Sequence, residues 1–140
     1  MIYSPNVKFQ NTKILIVDDC NFNRELLCEI LRVMNIDCEC ANDGIEGIEK
    51  ITTEQYDLVF MDINMPNKDG ITAVNELKKM PKLHLPPIVA LTASPKDAQR
   101  ASIEAGMIDC IEKPISLNSL EVLLIKYLKD KVISQVNNDK

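Results

Sequence analysis

Residues 13–19 read Lys-Ile-Leu-Ile-Val-Asp-Asp, KILIVDD, an unbroken aliphatic run followed at once by two acids. Continuous rather than alternating apolarity is what a strand covered on both faces requires, as in a parallel sheet layered with helices. Three further runs have this character, at 58–61, 88–91 and, more weakly, 107–111. A fifth, at 36–41, alternates through Ile36, Cys38 and Cys40, the pattern of a strand at a sheet edge with one face more exposed.

Helical spacing fills the gaps. Phe22, Leu26, Ile30 and Met34 recur every four residues and predict the inward stripe of a first helix. Weaker versions run over 45–53 (Ile45, Ile48, Thr52) and 70–80 (Ile71, Val74, Leu77). The helix at 95–105 is punctuated by Ser94 as N-cap, Pro95 at the first helical position, Asp97 in the first turn and Gly106 beyond the last. A final helix follows Ser116, with Leu117, Leu120, Leu124 and Leu128 turned inward. Strand and helix thus alternate five times, which implies an α/β fold with a parallel sheet, helices on both faces and right-handed crossovers. Five strands suit the flavodoxin-like doubly wound order 2-1-3-4-5, whose ligands bind outside the carboxyl ends of the first and third strands. The domain is expected over 12–130. Residues 1–11 and 131–140 are expected to be tails, the polar SQVNNDK fraying.

At 140 residues, 46% hydrophobic and 26% charged, the chain is one globular unit with no room for a second domain. Its net charge of -5 disfavours direct binding to nucleic acid or to anionic membranes. The N-terminal MIYSPNVKFQ lacks a signal-peptide core, and no apolar run approaches the ~18 residues of a membrane span. A cytoplasmic location is expected. The five cysteines, Cys20, Cys28, Cys38, Cys40 and Cys110, contain no C-x-x-C pair and read as reduced, mostly buried small apolar residues, Cys38 and Cys40 facing the core. His84, the only histidine, lies in PKLHLPP and reads as an exposed loop residue. Asp69 and Gly70 suit a turn into the third helix.

The predicted topology gathers chemistry on one rim. The first strand ends in Asp18 and Asp19, the third in Asp62, the fourth in Thr92 and the fifth in Lys113. Singly, each has an ordinary reading as a cap, a strand terminus or a solvated lysine. Together they are a site. Two carboxylates ~4 Å apart at an effective dielectric of ~20 repel by about 4 kcal/mol, and one lysine leaves the three acids uncompensated. A divalent cation would neutralise them, and oxygen-only ligands select a hard ion such as magnesium, with manganese as a substitute. Lys113 as a point charge, the Thr92 hydroxyl and nearby backbone N–H groups would suit phosphoryl oxygens, leaving Asp62 as nucleophile.

The stretches KILIVDD, MDINMPNKDG, PIVALTAS and EKPI resemble the motifs of the response-regulator receiver domain, especially receivers attached to hybrid histidine kinases. The resemblance covers about residues 13–130. It implies a phosphorelay switch that accepts a phosphoryl group on Asp62 from a histidine kinase or a histidine phosphotransfer protein. In this reading Asp19 binds magnesium directly, Asp18 binds through water or orients, and the Asn64 backbone carbonyl completes the shell. Thr92, the Ala93 N–H and Lys113 would contact the phosphoryl oxygens, while Asn64 and Ser94 tune dephosphorylation. The Lys113-Pro114 peptide, with Pro114 cis, is likewise implied. Activation would change partner binding and allow a homodimer through the fourth helix, fifth strand and fifth helix. Such a domain is no enzyme beyond its own phosphorylation and dephosphorylation. Phe22 and Met65 would lie beside the site, with core filling as their simpler role.

One position departs from the family pattern. Cys110 stands where an aromatic usually swings inward with the threonine, so a smaller movement is expected at this switch position. Two alternatives stay open. A pseudo-receiver would bind partners without taking up phosphate, though such domains usually lack the acidic pocket. A haloacid-dehalogenase-type phosphohydrolase would need an aspartate where Asn64 stands, and a cap domain the chain has no length for.

Overall fold

In the computed structural model, which describes residues 7–65 and 68–135, the opening run forms strand β2 (Lys13–Val17) inside a five-stranded sheet. Here β1 is a short N-terminal strand, Val7–Phe9. Strand β2 pairs in parallel with β3 (Asp37–Ala41) on one side and β4 (Leu58–Asp62) on the other. Strand β4 continues to β5 (Ile88–Thr92), and β5 to β6 (Asp109–Glu112). The order β3-β2-β4-β5-β6 is the flavodoxin-like 2-1-3-4-5 once the extra first strand is counted, with the alternating β3 at an edge as expected. Registers of Val17 with Met61, Asp62 with Leu91 and Thr92 with Glu112 align the carboxyl ends of the four central and distal strands.

Because successive strand side chains point to opposite faces, the sheet sorts its residues into two cores. Ile14, Ile16, Phe60, Val89 and Leu91 meet α1 (Asn21–Val33) and α5 (Leu117–Tyr127). Leu15, Val17, Val59, Met61 and Ala90 meet α2 (Gly44–Thr53), α3 (Gly70–Lys78) and α4 (Pro95–Ala105). All residues of β4 and β5 are buried, as their uninterrupted apolarity demands.

Several expectations need correction. The inward face of α1 is Leu27, Leu31 and Met34, whereas Phe22 and Leu26 are exposed. A strict four-residue spacing advances ~400° per step and so walks ~40° around the helix each time, while alternating steps of four and three stay over the sheet. Phe22 therefore fills no core. In α2 the buried positions are Gly44, Gly47 and Ile51, with Ile45 and Thr52 outside. Helix α5 buries Leu120, Leu123 and Leu124, leaving Leu117 at the margin. Ser94 precedes α4 but its side chain makes no capping bond, unlike Asp43, Asp69 and Ser116, which accept from Glu46, Thr72 and Ser119 N–H groups. Gly106 ends α4 with φ 109°, a left-handed conformation suited to glycine.

The expected tails contain structure. Strand β1 pairs antiparallel with β7 (Val132–Gln135), which follows a short 3₁₀ turn at Lys129–Lys131. Phe9 is fully buried, its N–H donates to the Met34 carbonyl (2.9 Å), and the Asn35 side-chain amide donates to its carbonyl (2.7 Å). Residues 1–6 and 136–140 of those tails, and Pro66 and Asn67 of the MDINMPNKDG stretch, lie outside the described residues.

The cysteine expectation also fails in part. Cys28 on α1 and Cys38 on β3 form a disulfide, and the Cys40 Sγ lies 2.9 Å from the Cys28 Sγ. Cys38 is core-facing and Cys40 half-buried. The helix and strand that carry them are adjacent only after folding, so no spacing in the chain signals the pairing.

Candidate functional site

The acids are delivered by strand ends whose neighbours hold them. Asp18 follows β2 and is buried; its N–H donates to the Ala41 carbonyl (3.1 Å), and its Oδ1 accepts from the Cys20 N–H (2.9 Å). The Arg24 guanidinium, one turn into α1, donates to the Asp18 carbonyl (2.7 Å). Asp62, the last residue of β4, is equally buried, and its Oδ1 accepts from the Asn64 N–H (3.0 Å). Asp19 is exposed at the mouth. One carboxylate oxygen from each of Asp18, Asp19 and Asp62 lies within 4.8 Å of the others.

Across this cluster stands Lys113, just beyond β6. Its Nζ donates to Asp62 Oδ2 at 3.0 Å and lies 3.7 Å from Asp18 Oδ2. Its N–H donates to the Thr92 carbonyl (2.8 Å), which ties its position to the end of β5. The Lys113-Pro114 peptide bond is cis. Thr92 is buried, and its Oγ1 accepts from the Ser94 N–H (3.0 Å), which leaves the hydroxyl hydrogen free to donate. Ala93, Ser94 and Asn64 are exposed around the opening.

Charge balance follows from this geometry. Burial pushes the Asp62 carboxyl up; the Asn64 N–H and Lys113 pull it down, the Asp18 charge pushes it further up, and the net direction is upward. Burial lowers Lys113, but Asp62, Asp18 and Asp19 outweigh it and raise the ammonium above its ordinary value. Among the described residues, Lys113 is the ammonium paired with Asp62 and Asp18 in this cluster of three carboxylates. All-oxygen donors with a single opposing lysine fit a hard divalent cation held partly by water.

The rim assembles Asp18, Asp19, Asp62 and Lys113 as the topology anticipates, with Thr92, Ala93 and Ser94 on the adjoining strand end. Met65 is buried beside it in the α2–α3–α4 core, whereas Phe22 stands on the surface. Cys110 is half-buried on the α4 side of β6, opposite Ala90 in register. Arg24 and the Cys20 N–H were missed by sequence reasoning. An arginine in the first turns of a helix that leaves an acidic strand end was the available signal. His84 is exposed in its loop, remote from the rim.

Comparison with known proteins places these features in a wider group. Residues 14–125 match the family model described as the response regulator receiver domain. Hybrid signal transduction histidine kinase G of Dictyostelium discoideum is 37% identical over 122 residues, 84% of this chain and 4% of that protein. Sensor histidine kinase RcsC of Escherichia coli is 36% identical over 115 residues, 81% of this chain and 12% of that protein. The chain thus spans a small fraction of these relatives. Among solved structures, the receiver domain of sensor histidine kinase PA1611 from Pseudomonas aeruginosa, with magnesium coordinated in its active site cleft, is 28% identical with a TM-score of 0.76. That match covers 84% of this chain and 98% of that one. The receiver domain of Ssk1 from Saccharomyces cerevisiae, crystallised with the histidine phosphotransfer protein Ypd1, gives 28% identity and a TM-score of 0.77, covering 85% of this chain and 90% of that chain.

Proposed function

We propose that this chain, which belongs to the response-regulator receiver family, is a phosphorelay switch that takes a phosphoryl group onto Asp62 from a phosphohistidine. The histidine N–P bond breaks as a bond forms from a carboxylate oxygen of Asp62 to phosphorus, giving an acyl phosphate that water later cleaves. The observation that carries this reading is the convergence of three carboxylate oxygens within 4.8 Å, with Lys113 bridging Asp62 and Asp18.

Asp18, Asp19, Asp62 and the Asn64 carbonyl would hold magnesium, for which manganese could substitute. Bound there, the ion shields the approach of an anionic donor and neutralises developing charge. Asp62 must be ionised to attack, and the Asn64 N–H and Lys113 favour that form against burial. Lys113, the Thr92 hydroxyl and the Ala93 N–H then hold the phosphoryl oxygens. Asn64 and Ser94, both exposed at the opening, govern how water reaches the acyl phosphate. Thr92 and Cys110 form the switch, with a smaller movement than an aromatic would make. Phe22 and Leu26 leave an apolar surface on α1 beside the pocket, where a kinase or phosphotransfer protein can seat its histidine. No helix among the described residues is long and apolar enough to cross a membrane. Output passes through partner binding, including a homodimer over α4, β6 and α5, and the domain catalyses only its own phosphorylation and dephosphorylation.

Incubation with magnesium and acetyl phosphate, followed by intact mass measurement, tests this. One added phosphoryl group is expected, and none in Asp62→Ala or in the presence of a chelator. A chain that never gains the mass is a pseudo-receiver, and turnover of a small phosphate monoester, such as para-nitrophenyl phosphate, at enzymatic rates would mark a phosphohydrolase.

A further inference from the structure

The acid rim leaves a second chemical cluster unused. Cys28 projects from α1, while Cys38 and Cys40 project from β3 at positions i and i+2, the same face of the strand. One sulfur from each lies within 4.8 Å of the others. Cys28 is bonded to Cys38 and is also 2.9 Å from Cys40, so the central sulfur has two partners within reach. Cys28 and Cys38 are buried. Cys40 is half-buried and lines a surface groove of about 430 Å³ with Phe22, Glu25, Glu29 and Arg32.

We propose that these three residues form a thiol–disulfide exchange site in which Cys28 pairs alternately with Cys38 and Cys40. Cys40 loses its proton and its thiolate attacks the Cys28 sulfur. The Cys28–Cys38 bond breaks, and Cys38 leaves as a thiolate that takes up a proton. One disulfide is consumed and one is formed, so no oxidant or reductant is needed for the exchange itself. The groove, which Cys28 also lines, brings a small thiol or disulfide from solution to Cys40 and to the edge of the Cys28–Cys38 bond. Burial pushes the Cys40 thiol up; Arg24, Arg32 and Lys50 draw it part of the way back down, and the Glu46 charge adds a smaller upward push. Either bond ties α1 to the edge strand, but only the Cys28–Cys38 form leaves an accessible thiol.

The full chain, reduced and then equilibrated with mixtures of oxidised and reduced glutathione, is quenched in acid, alkylated and cut after Glu39, which separates Cys38 from Cys40. Mass measurement is expected to find both the Cys28–Cys38 and the Cys28–Cys40 linked peptides. Cys38→Ser should retain one internal disulfide through Cys40, Cys40→Ser should retain one through Cys38, and Cys28→Ser should lose both. Alanine versions of each variant, checked by circular dichroism, separate loss of linkage from loss of fold. Linkage confined to Cys28–Cys38 in every mixture, or no linkage at all, overturns the proposal. So does a reduced chain that retains one zinc or copper(I) ion and thereby protects all three thiols from alkylation. Phosphoryl uptake enters none of these readouts, so this test and that of the Asp62 reading fail separately.

Discussion

Asp62 sits where burial opposes its charge more strongly than Lys113 and the Asn64 N–H support it, so its carboxyl titrates above the ordinary aspartate value of 3.8. The folded chain then holds this proton more tightly than the unfolded chain does. Its contribution to stability is fully present below 3.8 and is lost as pH rises through the higher folded value. Asp62→Asn removes that dependence. Without divalent cations, the Tm of Asp62→Asn minus that of the parent chain should therefore grow from strongly acidic solution toward neutrality. A gap that is level or narrows over that range, followed by thermal melts at each pH, would contradict the balance of forces assigned to this carboxyl. At this scale the sequence was most informative about the acids, Thr92 and Lys113, because strand termini in a parallel sheet share one rim. It was silent on Arg24, whose hydrogen bond to the Asp18 carbonyl depends on how α1 docks.

The elements meet the site through a close approach at the start of α3. A Cβ on Gly70 would lie 2.5 Å from the Asp62 carbonyl oxygen and 2.8 Å from Met61 Cγ, so an alanine there must push α3 or the end of β4 aside. Gly70→Ala should cost about 1–3 kcal/mol in urea unfolding and should slow phosphoryl uptake as well, since the displaced backbone carries Asp62. At Gly47 the corresponding neighbour is only the Val17 side chain at 3.1 Å, so Gly47→Ala supplies a milder comparison. The strands were legible as elements because burial on both faces forces continuous apolarity. Helices were legible by their existence, and the bounds of α4 matched those expected although Ser94 makes no capping bond. Their inward faces were less so. In α1 and α2 the apolar residues spread beyond one stripe, and which of them turned inward depended on the sheet beneath.

On the scale of the whole molecule, the ribbon of β1 and β7 joins segments from opposite ends of the described chain and closes over the end of the sheet away from the acids. Phe9 anchors it, fully buried beneath the C-terminal end of α1. Phe9→Ala is expected to lower stability by about 3–5 kcal/mol while leaving the phosphoryl-accepting chemistry intact, as measured by chemical denaturation alongside phosphoryl mass gain. Unchanged stability would mean that the ribbon contributes nothing to the fold. By itself the sequence determined the α/β class, the strand order and the acid rim, because local apolar pattern and the handedness of crossovers leave few topologies open. Only the tertiary structure decided the ribbon, the true inward helical faces and the meeting of Cys28 with Cys38 and Cys40. Each of these depends on contacts between elements distant along the chain, and such contacts leave no periodic trace in the segments that make them.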